Sequence, residues 1–251
     1  MRTLQQSAYE VLICTDPAEL AREAARRFAE LAGVFVADNG RFIVALSGGS
    51  TPKAMFSVLA EKPYADSLPW ARIHFFWGDE RCVPPDHAES NYRMAHEALL
   101  AKVPVPPENV HRVPAEDTDP QHAAAAYADT IAQFFQTAVG DFPRFDLILL
   151  GMGADGHTAS LFPGTPALRI HDRIVVANFV EKFHAHRISF TAQTINSALN
   201  VLFLVAGKDK ALALKEVIAG VRNVSQYPSQ LIEPNYGTLL WLVDEAAASM
   251  L

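Results

Sequence analysis

FDLILLGMGADGHTASLFP, residues 145–163, is the stretch whose reading decides the fold. Its opening Leu147-Ile148-Leu149-Leu150 has no helical spacing, and a continuous apolar run of this kind reads as a strand covered on both faces, as in a parallel sheet. Gly151, Gly153 and Gly156 follow at once, so the backbone must turn tightly or come close to something. Inside that turn stand Asp155 and His157, an acid and an imidazole at the carboxyl end of a buried strand. Open α/β sheets gather their ligands at that edge. The loop reads as an active-site loop, with His157 as its proton-handling residue.

Working outward, the same grammar recurs. Residues 41–46, RFIVAL, form a short apolar strand that runs into Ser47-Gly48-Gly49-Ser50-Thr51-Pro52, with a helix expected over 53–60. Strand, glycine-rich turn and helix N-terminus together suit a phosphate, because free backbone N–H groups and the positive end of the helix dipole converge on the anion. The string is neither a Walker A loop nor GxGxxG, and a tight turn with hydroxyl caps is the competing reading. IHFFW (73–77) is a strand ending in Gly78-Asp79-Glu80-Arg81, and VLFLVA (201–206) runs into Gly207-Lys208-Asp209-Lys210 and a helix over 211–219. Lys210 opens that helix, where a cation is unfavourable unless an anion offsets it.

Elsewhere Asp16-Pro17 sets up a helix start, carried to about Gly33 by Leu20, Ala24, Phe28 and Leu31. Further helices are expected over 90–100 and 123–138, and strands over 173–180, 187–191 and 238–243, the last closed by a short alanine-rich helix. Strands alternate with helices throughout, which predicts an α/β fold: a doubly wound, mostly parallel sheet flanked by helices, in one domain spanning 1–251.

Composition narrows the function classes. A net charge of −7 gives no electrostatic reason to expect nucleic acid or an anionic membrane as partner, so positive charge for an anionic substrate must be supplied locally. Cys14 and Cys82 stand far apart and do not form a disulfide framework. The opening MRTLQQSAYEVLI lacks a signal-peptide core and no apolar run approaches membrane length, so a cytoplasmic location is expected. No histidine or carboxylate set has metal-ligand spacing. ALSGG lacks the first glycine of a nucleophile elbow, which argues against Ser47 as a nucleophile.

Four blocks now carry a likeness: ALSGGSTPKAMF from Ala45, FFWGDERCVPPDHAESNYRMA from Phe75, FDLILLGMGADGHTASLFPG from Phe145 and GTLLWLVDEAA from Gly237. In this order they resemble the 6-phosphogluconolactonases, in the wider superfamily that also holds glucosamine-6-phosphate deaminase. The resemblance implies a Rossmann-like sheet, no required cofactor, a sugar-phosphate substrate, and hydrolysis of 6-phospho-D-glucono-1,5-lactone in the pentose phosphate pathway; a monomer or homodimer is expected, and the sequence does not fix which. It implies a phosphate grip from Ser47, Gly48, Gly49, Ser50 and Thr51 with Arg187 and Lys210, and a reacting end facing Asp79, Arg81, Asp155 and His157. The chain departs from the family pattern just before Arg187, where Glu181-Lys182-Phe183-His184-Ala185-His186 replaces a proline-rich lead-in.

Opening a lactone is acyl transfer to water, which needs a base for the water and a donor for the developing oxyanion. His157 suits the first task and Arg81 the second. Competing readings stand beside each: His157 as the cap of a helix from Thr158, Asp155 as a turn aspartate, Arg81 paired with Glu80 or Asp86, and Arg187 as a solvated charge. Two rival functions remain: the deaminase, whose loop continues after its histidine with a phenylalanine-asparagine-glutamate-proline string, and a sugar-phosphate sensing module. Here Thr158-Ala159-Ser160-Leu161 follows and brings no acid.

Overall fold

The computed structural model describes residues 2–5 and 9–251. Among the described residues ten strands alternate irregularly with helices: β1 (Arg2–Gln5), β2 (Glu10–Cys14), α1 (Pro17–Asn39), β3 (Phe42–Leu46), α2 (Ser50–Leu59), α3 (Tyr64–Ser67), β4 (Ile73–Trp77), β5 (Asp79–Arg81), α4 (Asn91–Ala95), α5 (Pro120–Phe135), β6 (Leu147–Leu150), β7 (Val175–Val180), β8 (Ala185–Phe190), α6 (Ala192–Asn196), β9 (Asn200–Val205), α7 (Ala211–Ala219) and β10 (Thr238–Asp244). They form a seven-stranded sheet of order β1-β2-β10-β9-β6-β3-β4 and a three-stranded sheet of order β5-β8-β7. The first is parallel except for β1, and the second is antiparallel throughout.

The large sheet bears out the α/β expectation, and its strand order fixes where a ligand crevice opens. From β3 the chain steps outward to β4, then returns to the other side of β3 as β6. The connections leaving β3 and β6 therefore diverge, and the switch point lies between their carboxyl ends. Every residue of β3 and β6 is buried, as unbroken apolar runs require in a sheet covered on both faces. Asp146 locks the two strands at their start: its carboxylate accepts from Ile43 N at 2.7 Å, and its own N–H donates to Ile43 O at 3.1 Å.

Several expectations are corrected. α1 runs on past Gly33 to a left-handed cap at Gly40 (φ 74°), because Phe35 and Val36 continue its apolar face and nothing crowds Gly33. α2 begins at Ser50, three residues early, so Ser50 and Thr51 are its first turn rather than part of the preceding loop. Helix 123–138 is shifted to Pro120–Phe135, with Asp119 as the cap that accepts from Gln121 N. The segment after β10 is a turn, since the Asp244 carboxylate accepts from Ala247 N and from Gly207 N and so ties β10 to the loop after β9.

The main correction is the small sheet. Strands expected over 173–180 and 187–191 pair with each other as a hairpin, and β8 then pairs with Asp79–Arg81, which the sequence shows only as a charged strand end. Gly78 is the joint between the sheets. Its N–H donates to Leu46 O of β3 at 2.9 Å, and its carbonyl accepts from Phe190 N of β8 at 2.8 Å. Tyr127 of α5 braces the same corner, its hydroxyl bonded to both the N–H and the carbonyl of Trp77. Among the described residues no helix is long and apolar enough to cross a membrane.

Candidate active site

A cavity of about 400 Å³ opens at the switch point, walled by the loops after β3 and β6, by β5 and β8, and by the start of α7. Ser47, Gly48, Gly49, Ser50, Thr51, Asp79, Arg81, His157, Arg187 and Lys210 all line it. These residues span more than half the sequence, and the two sheets bring them to one hollow. Asp155 is the exception among the predicted site residues: it stands behind His157 rather than on the wall.

The β3–α2 turn presents a helix N-terminus to the cavity. Gly49 caps α2 without any side-chain acceptor, so the first-turn N–H groups are not satisfied by a local carboxylate or hydroxyl. Gly48 is fixed by close approach: a Cβ there would lie 1.9 Å from Asn91 Oδ1. Asn91 in turn donates from Nδ2 to Asp79 O at 2.9 Å, so one amide holds the turn against β5. Asn91 carries no signal in the sequence beyond following the helix cap Ser90.

The β6 loop sets up the imidazole. Asp155 Oδ1 lies 2.5 Å from His157 Nδ1 and also accepts from the His157 backbone N–H at 3.3 Å, so both readings of Asp155 hold at once. With Nδ1 facing a carboxylate, the ring proton belongs on Nδ1 and Nε2 is left as the free acceptor. The ring stacks on Phe162, centroids 4.0 Å apart. Gly153 lies beneath it, where a Cβ would come within 2.1 Å of the ring. There is no helix at Thr158 for His157 to cap; residues 158–161 turn tightly, with Leu161 N donating to Thr158 O and Thr158 Oγ1 to Gly151 O. Ala159 adopts φ 46°, a left-handed backbone that a side chain resists.

Burial works to raise the Asp155 carboxyl, but hydrogen bonds and charge from His157, and from Lys182 at 3.1 Å on Oδ2, outweigh it and hold the group well below the usual carboxylate range. The acid therefore stays ionised around neutral pH, as a partner to an imidazolium must.

β5 carries its charges in different directions. Glu80 turns inward and is buried, accepting from Arg81 N, Asn91 N, Tyr92 N and Ser90 Oγ. Burial pushes its carboxyl upward and the backbone donors only partly offset this. Arg81 is therefore paired with neither Glu80 nor Asp86: its guanidinium donates to the Glu89 carbonyl. Asp79 is buried with its Oδ2 accepting from Ser160 Oγ at 2.7 Å, which ties β5 to the His157 loop. Arg187 on β8 is opposite Arg81 and lies under the Phe183 ring, 5.4 Å from its centroid. Burial and then the neighbouring Arg81 charge push its guanidinium below its ordinary value. Lys210 is half-buried beside Asp209 at 2.7 Å.

Likeness to known proteins follows the same lines. Residues 15–241 match the family described as glucosamine-6-phosphate isomerases/6-phosphogluconolactonase. A 6-phosphogluconolactonase of Nostoc sp. is 48% identical over 216 residues, covering 86% of this chain and 87% of that protein. One from Synechocystis sp. is 47% identical with the same coverage. Among solved structures, a 6-phosphogluconolactonase from Trypanosoma cruzi superposes with a TM-score of 0.87 at 32% identity, covering 100% of this chain and 99% of that one.

Proposed function

The chain belongs to the glucosamine-6-phosphate isomerase/6-phosphogluconolactonase family, and from that membership and the cavity we propose how it hydrolyses 6-phospho-D-glucono-1,5-lactone to 6-phosphogluconate. The observation that carries the reading is the presence around one cavity of a helix N-terminus with no side-chain cap, of Arg81, Arg187 and Lys210, and of an imidazole backed by a carboxylate. The cavity volume suits a single phosphorylated sugar.

In this reading the phosphate lies on the Ser47 to Thr51 turn, with Arg187 and Lys210 supplying the charge that an acidic protein must provide locally. His157 Nε2 takes a proton from water as the oxygen bonds to the lactone carbonyl carbon. Arg81 donates to the oxyanion, and Asp79, held by Ser160, receives sugar hydroxyls. When the tetrahedral intermediate collapses, the bond from the carbonyl carbon to the ring oxygen breaks, and that oxygen takes back the proton from His157. Water adds across one ester bond and the protein returns to its starting state. Asp155 holds the tautomer that makes Nε2 the base, and is a positioning residue.

The absence of an acid in Thr158-Ala159-Ser160-Leu161 favours this reading over amino-sugar deamination, which needs a carboxylate to move a proton between carbons. The protein is read as a monomer or homodimer with no nucleic-acid partner. The test is enzyme added to freshly made 6-phosphogluconolactone, with gluconolactone and glucosamine 6-phosphate in parallel and spontaneous opening subtracted. Acceleration with the phosphorylated lactone alone is expected; ammonia from the amino sugar instead would overturn the assignment.

A further inference from the structure

The β7–β8 hairpin reaches back onto the His157 loop. Its tip is a short turn, Glu181–Phe183, closed by His184 in a left-handed conformation (φ 47°). From that tip Lys182 Nζ donates to Asp155 Oδ2 at 3.1 Å, while Asp155 Oδ1 holds His157 Nδ1 at 2.5 Å. Phe183 meets Phe162 edge-on, centroids 5.7 Å apart, and Phe162 is the ring on which His157 stacks. The hairpin thus touches both supports of the imidazole, one through charge and one through packing.

We propose that Lys182 is a positioning residue for His157, acting through Asp155, and that the hairpin tip sets the pH at which the base becomes available. The proposal rests on the assignment of His157 as the base. The lysine occupies the carboxylate oxygen that the imidazole leaves free, and it fixes the rotation of Asp155 so that Oδ1 stays on Nδ1. It also sets a positive charge against the carboxylate that faces the ring. The other charged groups on this wall, Asp79, Arg81, Glu89, Arg187 and Lys210, make no hydrogen bond to Asp155 or His157 among the described residues. Among the described residues Lys182 is therefore the one charge that reaches the pair by direct contact. Its side chain is 62% exposed, so the ion pair contributes little to stability and its field is open to salt.

Removing the cation leaves Asp155 less compensated, favours imidazolium, and moves the acidic limb of kcat/KM to higher pH. One unit charge a carboxylate away from the ring, screened by water, corresponds to about half a pH unit. The experiment is the pH profile of kcat/KM for the wild type, Lys182→Met, Lys182→Arg and His157→Ala, each at low and high salt, with melting temperatures alongside. Expected are an upward displacement in Lys182→Met that shrinks in high salt, recovery of the wild-type limb in Lys182→Arg, and nearly unchanged melting. A Lys182→Met limb that coincides with the wild type, or a change in KM alone, overturns the proposal while leaving the lactonase reading intact. Undiminished turnover in His157→Ala instead sinks the base assignment beneath it.

Discussion

Arg81 and Arg187 are direct cross-strand partners on β5 and β8, so two guanidinium-bearing side chains start from facing positions at the cavity wall. Like charges placed opposite one another on a sheet are destabilising, and Arg187 also loses solvation there. In the proposed complex the substrate phosphate beside Arg187 would offset both costs.

Arg187→Ala is therefore expected to weaken substrate binding while sparing the empty protein. KM should rise about 10–100-fold with kcat changed far less, the loss of a charge-assisted hydrogen bond. Its melting temperature should match or exceed the wild type's, and inorganic phosphate should raise it less. Steady-state kinetics and thermal melts with and without phosphate check this. A loss concentrated in kcat contradicts the phosphate role.

Asp155→Asn tests the tautomer argument. An amide that turns its N–H₂ toward Nδ1 stabilises the tautomer with its proton on Nε2, which is the wrong one for a base facing the cavity. Turnover should fall by about 10²-fold, less than the loss in His157→Ala of about 10²–10⁴-fold. Wild-type kcat in folded Asp155→Asn removes the positioning role.

Asn91 and Gly48 form a lock whose two halves can be separated. Gly48→Ala drives a methyl into the Asn91 amide and should raise KM by displacing the turn. The double variant Gly48→Ala, Asn91→Ala removes the obstacle and should recover part of that loss. No recovery in the double variant means the methyl acts on the substrate rather than on Asn91.

Ala159→Gly addresses the left-handed residue between His157 and Ser160. Glycine accepts φ 46° without the Cβ clash, so stability should rise by about 1 kcal/mol, partly offset by the greater freedom of the unfolded chain. Denaturant unfolding measures it, and a destabilised variant contradicts the strain.

Asp146 supplies a pH signature remote from the cavity. Burial raises its carboxyl to about 6, against which the Ile43 N–H works only in part. A raised carboxyl contributes stability that is complete below the unfolded value near 3.8 and is lost as pH rises through about 6. Asp146→Asn keeps an acceptor for Ile43 N–H without that loss. Its melting temperature should gain on the wild type between pH 5 and pH 7.5; a constant difference over that range refutes the titration.

Much of the fold and of the cavity is legible in the amino-acid sequence. Unbroken apolar runs mark the parallel strands, and glycines at their ends mark both loops of the cavity, because tight turns and close approach restrict residue choice there. The roles of Asn91, Glu80 and Lys182 are not legible. Each acts by long-range contact through an amide, a buried carboxylate or an ammonium, and these residue types look the same in sequence on any solvated surface. The three-stranded sheet is hidden for a related reason. Asp79-Glu80-Arg81 is too short and too charged to read as a strand, and it becomes one only when β8 is alongside. Helix ends escape the reading where propensity misleads, as at Gly33, which an apolar face carries through.

The two sheets meet through the backbone of Gly78, and the proposed phosphate turn and the Lys182 hairpin lie on opposite sides of that joint. A change in the length or charge of the tip, Glu181–Phe183, therefore acts on the Asp155–His157 side, while the Ser47–Thr51 turn keeps its own backbone anchor in the large sheet. Arg187, on β8, is the proposed grip residue that belongs to the hairpin's own sheet, so it couples the two ends of the cavity.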